Sequence, residues 1–210
     1  MEYNSLVLFI KLLENELNDF LSKFIDFLRM RNVADENTIQ KIELFKNRKF
    51  HELGGVGECC RTGFFYSNNI EYEIEILFDS EYYPTHSTEE RRWIYVDFSI
   101  RTSDLAKDKN NDDYLVSNYE YSKKSKFNIK KFARELHNNF ASSYIFFVSE
   151  YQNVSIDKLE QGMGNNKVGD VEFEYAILPK GKFSEAIKKN RYEIVNNAES
   201  IEFCRVDVFK

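Results

Sequence analysis

The chain is poor in the residues that interrupt regular structure: two prolines and eight glycines are spread over 210 positions. Proline removes a backbone donor and glycine adds backbone freedom, so their scarcity excludes collagen-like and linker-type chains. Three cysteines, Cys59, Cys60 and Cys204, are too few for a disulfide framework. The vicinal pair would sit on opposite faces of a strand, and buried or half-buried free thiols are expected. No apolar stretch reaches the roughly 20 residues that a membrane-spanning helix needs. The longest apolar region is interrupted by Lys11, Glu14, Glu16 and Asp19. The first residues lack the basic region and small-residue cleavage site of a signal peptide, so a cytoplasmic location is expected. No complete cofactor or metal motif is present, and none is expected to be bound.

What is there describes a folded protein. Hydrophobic residues make up 42% and charged residues 30%, which is far from the disordered regime. Nineteen Phe and thirteen Tyr supply bulky side chains for a core. The net charge of −6 argues weakly against general nucleic-acid binding and is compatible with a basic protein partner. The excess of Asn, Lys, Ile, Phe and Tyr is what AT-rich coding gives and points to a bacterial or phage source.

The strongest pattern runs from Ile70 to Arg101. Ile70, Tyr72, Ile74, Ile76 and Phe78 alternate with Glu71, Glu73, Glu75 and Asp79. After a connector, Arg92, Ile94, Val96, Phe98 and Ile100 alternate with Trp93, Tyr95, Asp97, Ser99 and Arg101. A period of two over such lengths predicts an antiparallel strand pair with one core face and one acidic-aromatic outer face.

Elsewhere the spacing is helical. Leu6, Phe9, Ile10, Leu13, Leu17, Phe20, Leu21, Phe24, Phe27 and Leu28 predict one long amphipathic helix over 5–31, packed on the sheet or used to form a homodimer. A short helix is expected after Asp35 as N-cap, with Ile39, Ile42 and Phe45 inward and an end near Gly54–Gly55. Cys60–Ser67 reads as a strand turning at Asn68–Asn69, and 102–126 as a long surface connection. Phe127 is expected to open a helix, with Asn128 as N-cap and Phe127 stapled onto Phe132. Tyr144–Val148 fits a strand or a continued helix. Short helices at Val154–Gln161 and Ser184–Asn190 and strands at Val171–Leu178 and Ile201–Phe209 complete the reading. The expected fold is therefore α+β: a long and a short helix, then a mainly antiparallel sheet with interspersed short helices. It is read as a single domain, with a helical segment over 1–55 and a sheet-based body over 56–210.

Alternating carboxylates on neighbouring strands lie roughly 5–7 Å apart and repel one another. Arg91, Arg92 and Arg101, a metal or a basic partner could relieve that repulsion. Glu71, Glu73, Glu75, Asp79, Trp93, Tyr95 and Asp97 are thus the expected partner-binding residues, since aromatic anchors among charges are typical of interface hot spots. Lys123, Lys124, Lys126, Lys130, Lys131 and Arg134 form a basic run. Its lysines are candidates for contact with phosphate or an acidic partner, because cations at a helix N-terminus oppose the helix dipole.

The order helix, three strands, helix, strand resembles the core of the PD-(D/E)xK nucleases. That likeness implies magnesium held by Glu14 or Glu16, Asp79 and Asp97. The tripeptide here is Asp97-Phe98-Ser99, with Ser where the family has Lys, and no Pro precedes Asp79. Asp108-Lys-Asn-Asn-Asp112 starts like a calcium loop but lacks its glycine and terminal glutamate. Gly162-Met-Gly164 lacks the spacing of a phosphate loop, and His51, His86 and His137 are isolated in sequence. The reading that follows is a non-enzymatic protein-binding module: an inhibitor of a bacterial toxin or host defence nuclease, of the immunity or phage anti-defence type. A degenerate magnesium-dependent nuclease and a structural or oligomerising domain are the alternatives.

Overall fold

In the computed structural model, which describes residues 3–49, 62–67, 70–78, 91–106, 120–149, 154–163, 171–187, 189–207 and 209, the first element is a strand, β1 (Tyr3–Leu13). Leu6, Val7, Leu8, Phe9 and Ile10 are consecutive and all buried. A run that is apolar at every position matches helical spacing at a subset of positions, yet it suits a strand covered on both faces. The helix expected over 5–31 is realised in its second part only. A short 3-10 turn at Glu14–Glu16 leads into α1 (Leu17–Arg31). Glu16 reaches back to accept the Leu13 N–H at 2.8 Å, which marks the change from strand to helix.

The chain is an α+β fold that divides into two compact units, Leu8–Ser99 and Met1–Val7 with Ile100–Lys210. In the first unit, α1 buries Leu17, Phe20, Leu21, Phe24, Ile25, Phe27 and Leu28. It stops at Asn32, whose left-handed backbone (φ 51°) lets the Val33 N–H reach the Leu28 carbonyl at 3.0 Å. Asp35 caps α2 (Glu36–Glu43) as expected, accepting the Thr38 N–H at 2.8 Å. Ile39, Ile42 and Phe45 face inward, and α2 packs on α1. The strands β3 (Ile70–Phe78) and β4 (Arg91–Arg101) fall where alternation placed them, and β2 (Thr62–Ser67) lies within the strand expected at Cys60–Ser67. The lateral order is β2-β3-β4-β1, with β2 and β3 antiparallel.

The second unit carries α3 (Thr102–Leu105), α4 (Lys123–Asn139), β5 (Tyr144–Ser149), α5 (Ile156–Met163), β6 (Tyr175–Pro179), α6 (Lys182–Ala186), β7 (Tyr192–Asn196) and β8 (Ser200–Arg205). Its strand order is β1-β5-β6-β8-β7, and the pairs β5/β6, β6/β8 and β7/β8 are antiparallel. The ambiguous segment at 144–148 is the strand β5, buried from Ile145 to Val148. Its adjacent Phe146 and Phe147 point to opposite faces, as the strand period requires. Phe147 meets Tyr121 and Phe209 at 5.6 and 5.3 Å between ring centroids. Phe146 meets Phe173 and Phe183 at 5.5 and 6.1 Å. Helix α4 packs on β5 and β6, and α5 on α6. The thiol of Cys204 is buried and free, as expected, 3.3 Å from the Phe209 carbonyl. Helix α2 ends at Glu43, well short of the expected end near Gly54–Gly55. The pair Cys59–Cys60, Gly54–Gly55, the turn at Asn68–Asn69 and the segment Asp108–Asp112 lie outside the described residues.

Phe24 is fully enclosed, stacked on Phe20 at 5.8 Å and edge-on to Phe98 at 6.2 Å. Phe24→Ala is expected to cost about 3–5 kcal/mol in urea unfolding. Met30 on the same helix is 65% exposed. Met30→Ala is expected to stay within about 0.5 kcal/mol of the parent, and a reversal of that order would misplace the buried face of α1.

Candidate interaction surfaces

Strand β3 carries Glu71, Glu73 and Glu75 at alternate positions, with Glu71 opposite Tyr66 and Glu73 opposite Phe64 of β2. The register is interrupted between Thr62 and Phe64, so the outermost strand of this unit carries a local irregularity. Asp79 lies outside the described residues, as do the side chains of the three glutamates. On the neighbouring strand β4 the expected outer face is largely enclosed. Trp93 is 2% exposed and Asp97 7%, while Tyr95 is half-buried. The expectation of an exposed Trp93 is therefore corrected. The Lys11 ammonium lies 5.7 Å from the centre of the Trp93 ring, and Phe9 stands edge-on to Tyr95 at 5.1 Å. Alternation in a sequence reports which residues share a face; it does not report what covers that face.

The Tyr95 hydroxyl donates to Asp97 Oδ2 at 3.0 Å, so this buried carboxylate has a local donor. Arg91, expected to offset the β3 carboxylates, donates to the Lys11 carbonyl at 3.4 Å and lies 3.6 Å from Glu16 Oε2. Glu16, one carboxylate that the nuclease layout would assign to magnesium, is thus engaged with Arg91 and the Leu13 N–H. Among the described residues, no group of three His, Cys, Asp or Glu side chains is gathered as a metal site.

The basic run has a more definite geometry than its sequence suggested. Helix α4 begins at Lys123, with its cap six residues before the expected cap Asn128. Ser122 is its N-cap, its hydroxyl accepting the Ser125 N–H at 3.0 Å. Asn128, the expected cap, is buried in the helix interior, and Phe127, the expected staple, is 65% exposed. At about 100° per residue, Lys123, Lys124, Lys126, Phe127, Lys130, Lys131 and Arg134 fall within an arc of about 160°. Ser125, Asn128, Ile129, Phe132, Ala133 and Leu136 occupy the buried arc.

Two cations on this face are already engaged. Lys130 lies 5.6 Å from the Phe209 ring centre and 6.0 Å from that of Tyr175. Arg134 donates to both carboxylate oxygens of Glu202, from Nε at 3.0 Å and Nη2 at 2.7 Å. Glu202 is almost closed off from solvent, and the fork geometry satisfies both of its oxygens. The adjacent Tyr175 hydroxyl titrates far above its usual range, first because it is buried and then because of the Glu202 charge. Lys123, Lys124 and Lys131 project as exposed cations around Phe127. The aromatic in their midst is the feature that the sequence reading missed. Extending the helical period back to Ser122 would have found it.

No family model, curated protein or solved structure matches the chain. Among the described residues, no helix is long and apolar enough to cross a membrane.

His137, in the last turn of α4, is half-buried, and burial holds its pKa below the ordinary value of 6.5. Its Nδ1 has no hydrogen-bond partner among the described residues. The unfolded chain takes up a proton near pH 6.5 where the folded chain resists it, so this group removes stability as pH falls below 6.5 and has no effect above it. Urea midpoints measured from neutral pH to the upper edge of carboxylate titration are expected to fall with pH. His137→Gln should flatten that decline, and an unchanged slope in the variant would assign the effect elsewhere.

Proposed function

We propose that the protein is a non-enzymatic protein-binding module that recognises a basic partner and acts as an inhibitor. Its role would be that of an immunity protein neutralising a bacterial toxin, or of a phage protein blocking a host defence nuclease, in the cytoplasm. The observation that supports this reading is the recurrence of Glu71, Glu73 and Glu75 at alternate positions of β3, beside the terminal strand β2. Alternate residues on a strand are about 7 Å apart, so such a row concentrates negative charge along the strand. A basic surface brought to it gains attraction, and the row raises the association rate while discriminating against acidic surfaces. Tyr95 is half-buried on β4, and Tyr66 and Phe64 of β2 stand opposite Glu71 and Glu73 in register. Trp93 belongs to the core, so the lifetime of the complex does not depend on it directly.

The test uses a basic partner captured from the source cell and identified by mass spectrometry. Reversing charge in Glu73→Lys/Glu75→Lys should slow association about tenfold or more at low ionic strength and flatten its salt dependence. The variant's circular dichroism and unfolding midpoint should stay close to those of the parent. Trp93→Ala should instead unfold the unit, by about 3–5 kcal/mol, through loss of a buried aromatic. Association kinetics unchanged in the double variant would remove β3 as the binding face. Metal-dependent cleavage of nucleic acid abolished by Asp97→Asn would replace the inhibitor reading with the nuclease one.

A further inference from the structure

We infer that the outward face of α4 is a second docking site, taking a short acidic segment of a partner protein with Phe127 as its apolar anchor. This surface is independent of the carboxylate row on β3 and stands or falls on separate residues. Phe127 is 65% exposed, and Lys123, Lys124 and Lys131 are all exposed. They stand four residues before it, three before it and four after it, which places all of them on its own side of the helix.

The fold gives no reason for this arrangement. The first turn of α4 holds lysines and no acidic residue, against the direction of the helix dipole. Leaving a phenyl ring in water forgoes the gain of burying it. Both features oppose stability in the isolated chain, and both favour a partner that brings carboxylates and an apolar side chain together.

The dimensions narrow the class of ligand. From Lys123 to Lys131 the helix rises about 12 Å, at 1.5 Å per residue. In an extended segment, alternate residues share a face about 7 Å apart, so an acidic, an apolar and an acidic side chain at alternate positions span the cationic stretch with the apolar one on Phe127. Binders of single-stranded nucleic acid use successive aromatic platforms along a basic groove, whereas α4 exposes one ring. Apart from Arg134, which forks onto Glu202, the exposed cations are lysines, which attract carboxylates as point charges and lack the forked geometry of arginine. A lipid surface is disfavoured because the apolar arc of α4 is packed on β5 and β6, leaving a single phenyl to insert.

The experiment is fluorescence anisotropy on the full chain, with a labelled peptide about ten residues long built around Glu-Ser-Leu-Ser-Glu, which puts both carboxylates and the leucine on one face when extended. Saturable binding at low salt is expected, weakened as ionic strength rises to the physiological range. Phe127→Ala should weaken it about tenfold, and Lys123→Glu/Lys124→Glu/Lys131→Glu should abolish it. All these positions are exposed, so the variants should keep the parent's circular dichroism. Deoxyadenosine oligonucleotides, vesicles containing phosphatidylserine, and sedimentation of the chain alone are measured in parallel. The proposal is overturned if the peptide does not bind, or binds the Phe127→Ala variant as tightly as the parent. It is equally overturned if the oligonucleotide or the vesicles bind more tightly than the peptide, or if Phe127→Ala abolishes self-association of the chain.

Discussion

Cover on both faces of the strands is the constraint on which the rest of this structure depends. Five consecutive residues of β1, from Leu6 to Ile10, are buried, so no side of that strand is left to water. The chain meets the demand with helices and with many large rings: α1 lays Phe24 against Phe98, and β5 sends Phe146 and Phe147 to separate aromatic clusters. A polar side chain on such a strand must find its partners inside. Asn4 does so through both ends of its amide, donating to Thr102 Oγ1 at 2.9 Å and accepting from the Tyr121 hydroxyl at 3.1 Å. A hydrophobic replacement of one member would strand the others, which is why such groups tend to be satisfied together.

The same logic sorts the charges. Glu202 and Glu174 are buried on β8 and just before β6, and each faces an arginine: Arg134 at 2.7 Å and Arg205 at 3.4 Å. An unpaired carboxylate at either place would cost several kcal/mol, so these arginines hold the fold before they can serve anything else. Arg205 also binds Asp207 through Nε at 2.9 Å, tying the end of β8 to the turn that follows. Such ion pairs contribute little where exposed and matter where one partner is enclosed. The exposed pairs of Arg29 with Glu36 and Glu43 belong to the first kind and decide little about stability.

Much of this was legible in the sequence, and the failures share a cause. Strands β3 and β4 alternate in polarity, and α2 has a cap and a stripe; both patterns encode position and burial together. The runs Leu6–Ile10 of β1 and Ile145–Val148 of β5 are uniformly apolar, and a uniform run has no period to read, so local spacing fits helix and strand alike. At α4 the expected cap Asn128 lies six residues past the actual cap Ser122, and the unread start of the helix hid the exposure of Phe127. Trp93 failed for another reason. Its neighbours are polar, but the cover comes from elsewhere in the chain, Lys11 included, and tertiary cover is not written in local alternation. Strand β7, mostly exposed between two short elements, has too little hydrophobic contrast to be seen.

These corrections change how the two charged surfaces compare. A row of carboxylates without an aromatic anchor steers a partner inward but contributes little to the lifetime of the complex, because long-range attraction acts mainly on association. With Trp93 enclosed, β4 offers the β3 row no more than the half-buried Tyr95, and any aromatic contact beyond it falls to Phe64 and Tyr66, in register with Glu73 and Glu71 on β2. Helix α4 joins the two functions in one place, since Phe127 can be desolvated by a partner while its flanking lysines supply the attraction. Short-range contact with a ring tolerates salt, whereas attraction between exposed charges is screened within about 8 Å at physiological ionic strength. A complex formed on β3 is therefore governed by salt in its rate of formation, and one formed on α4 by the fit around Phe127 in its rate of decay.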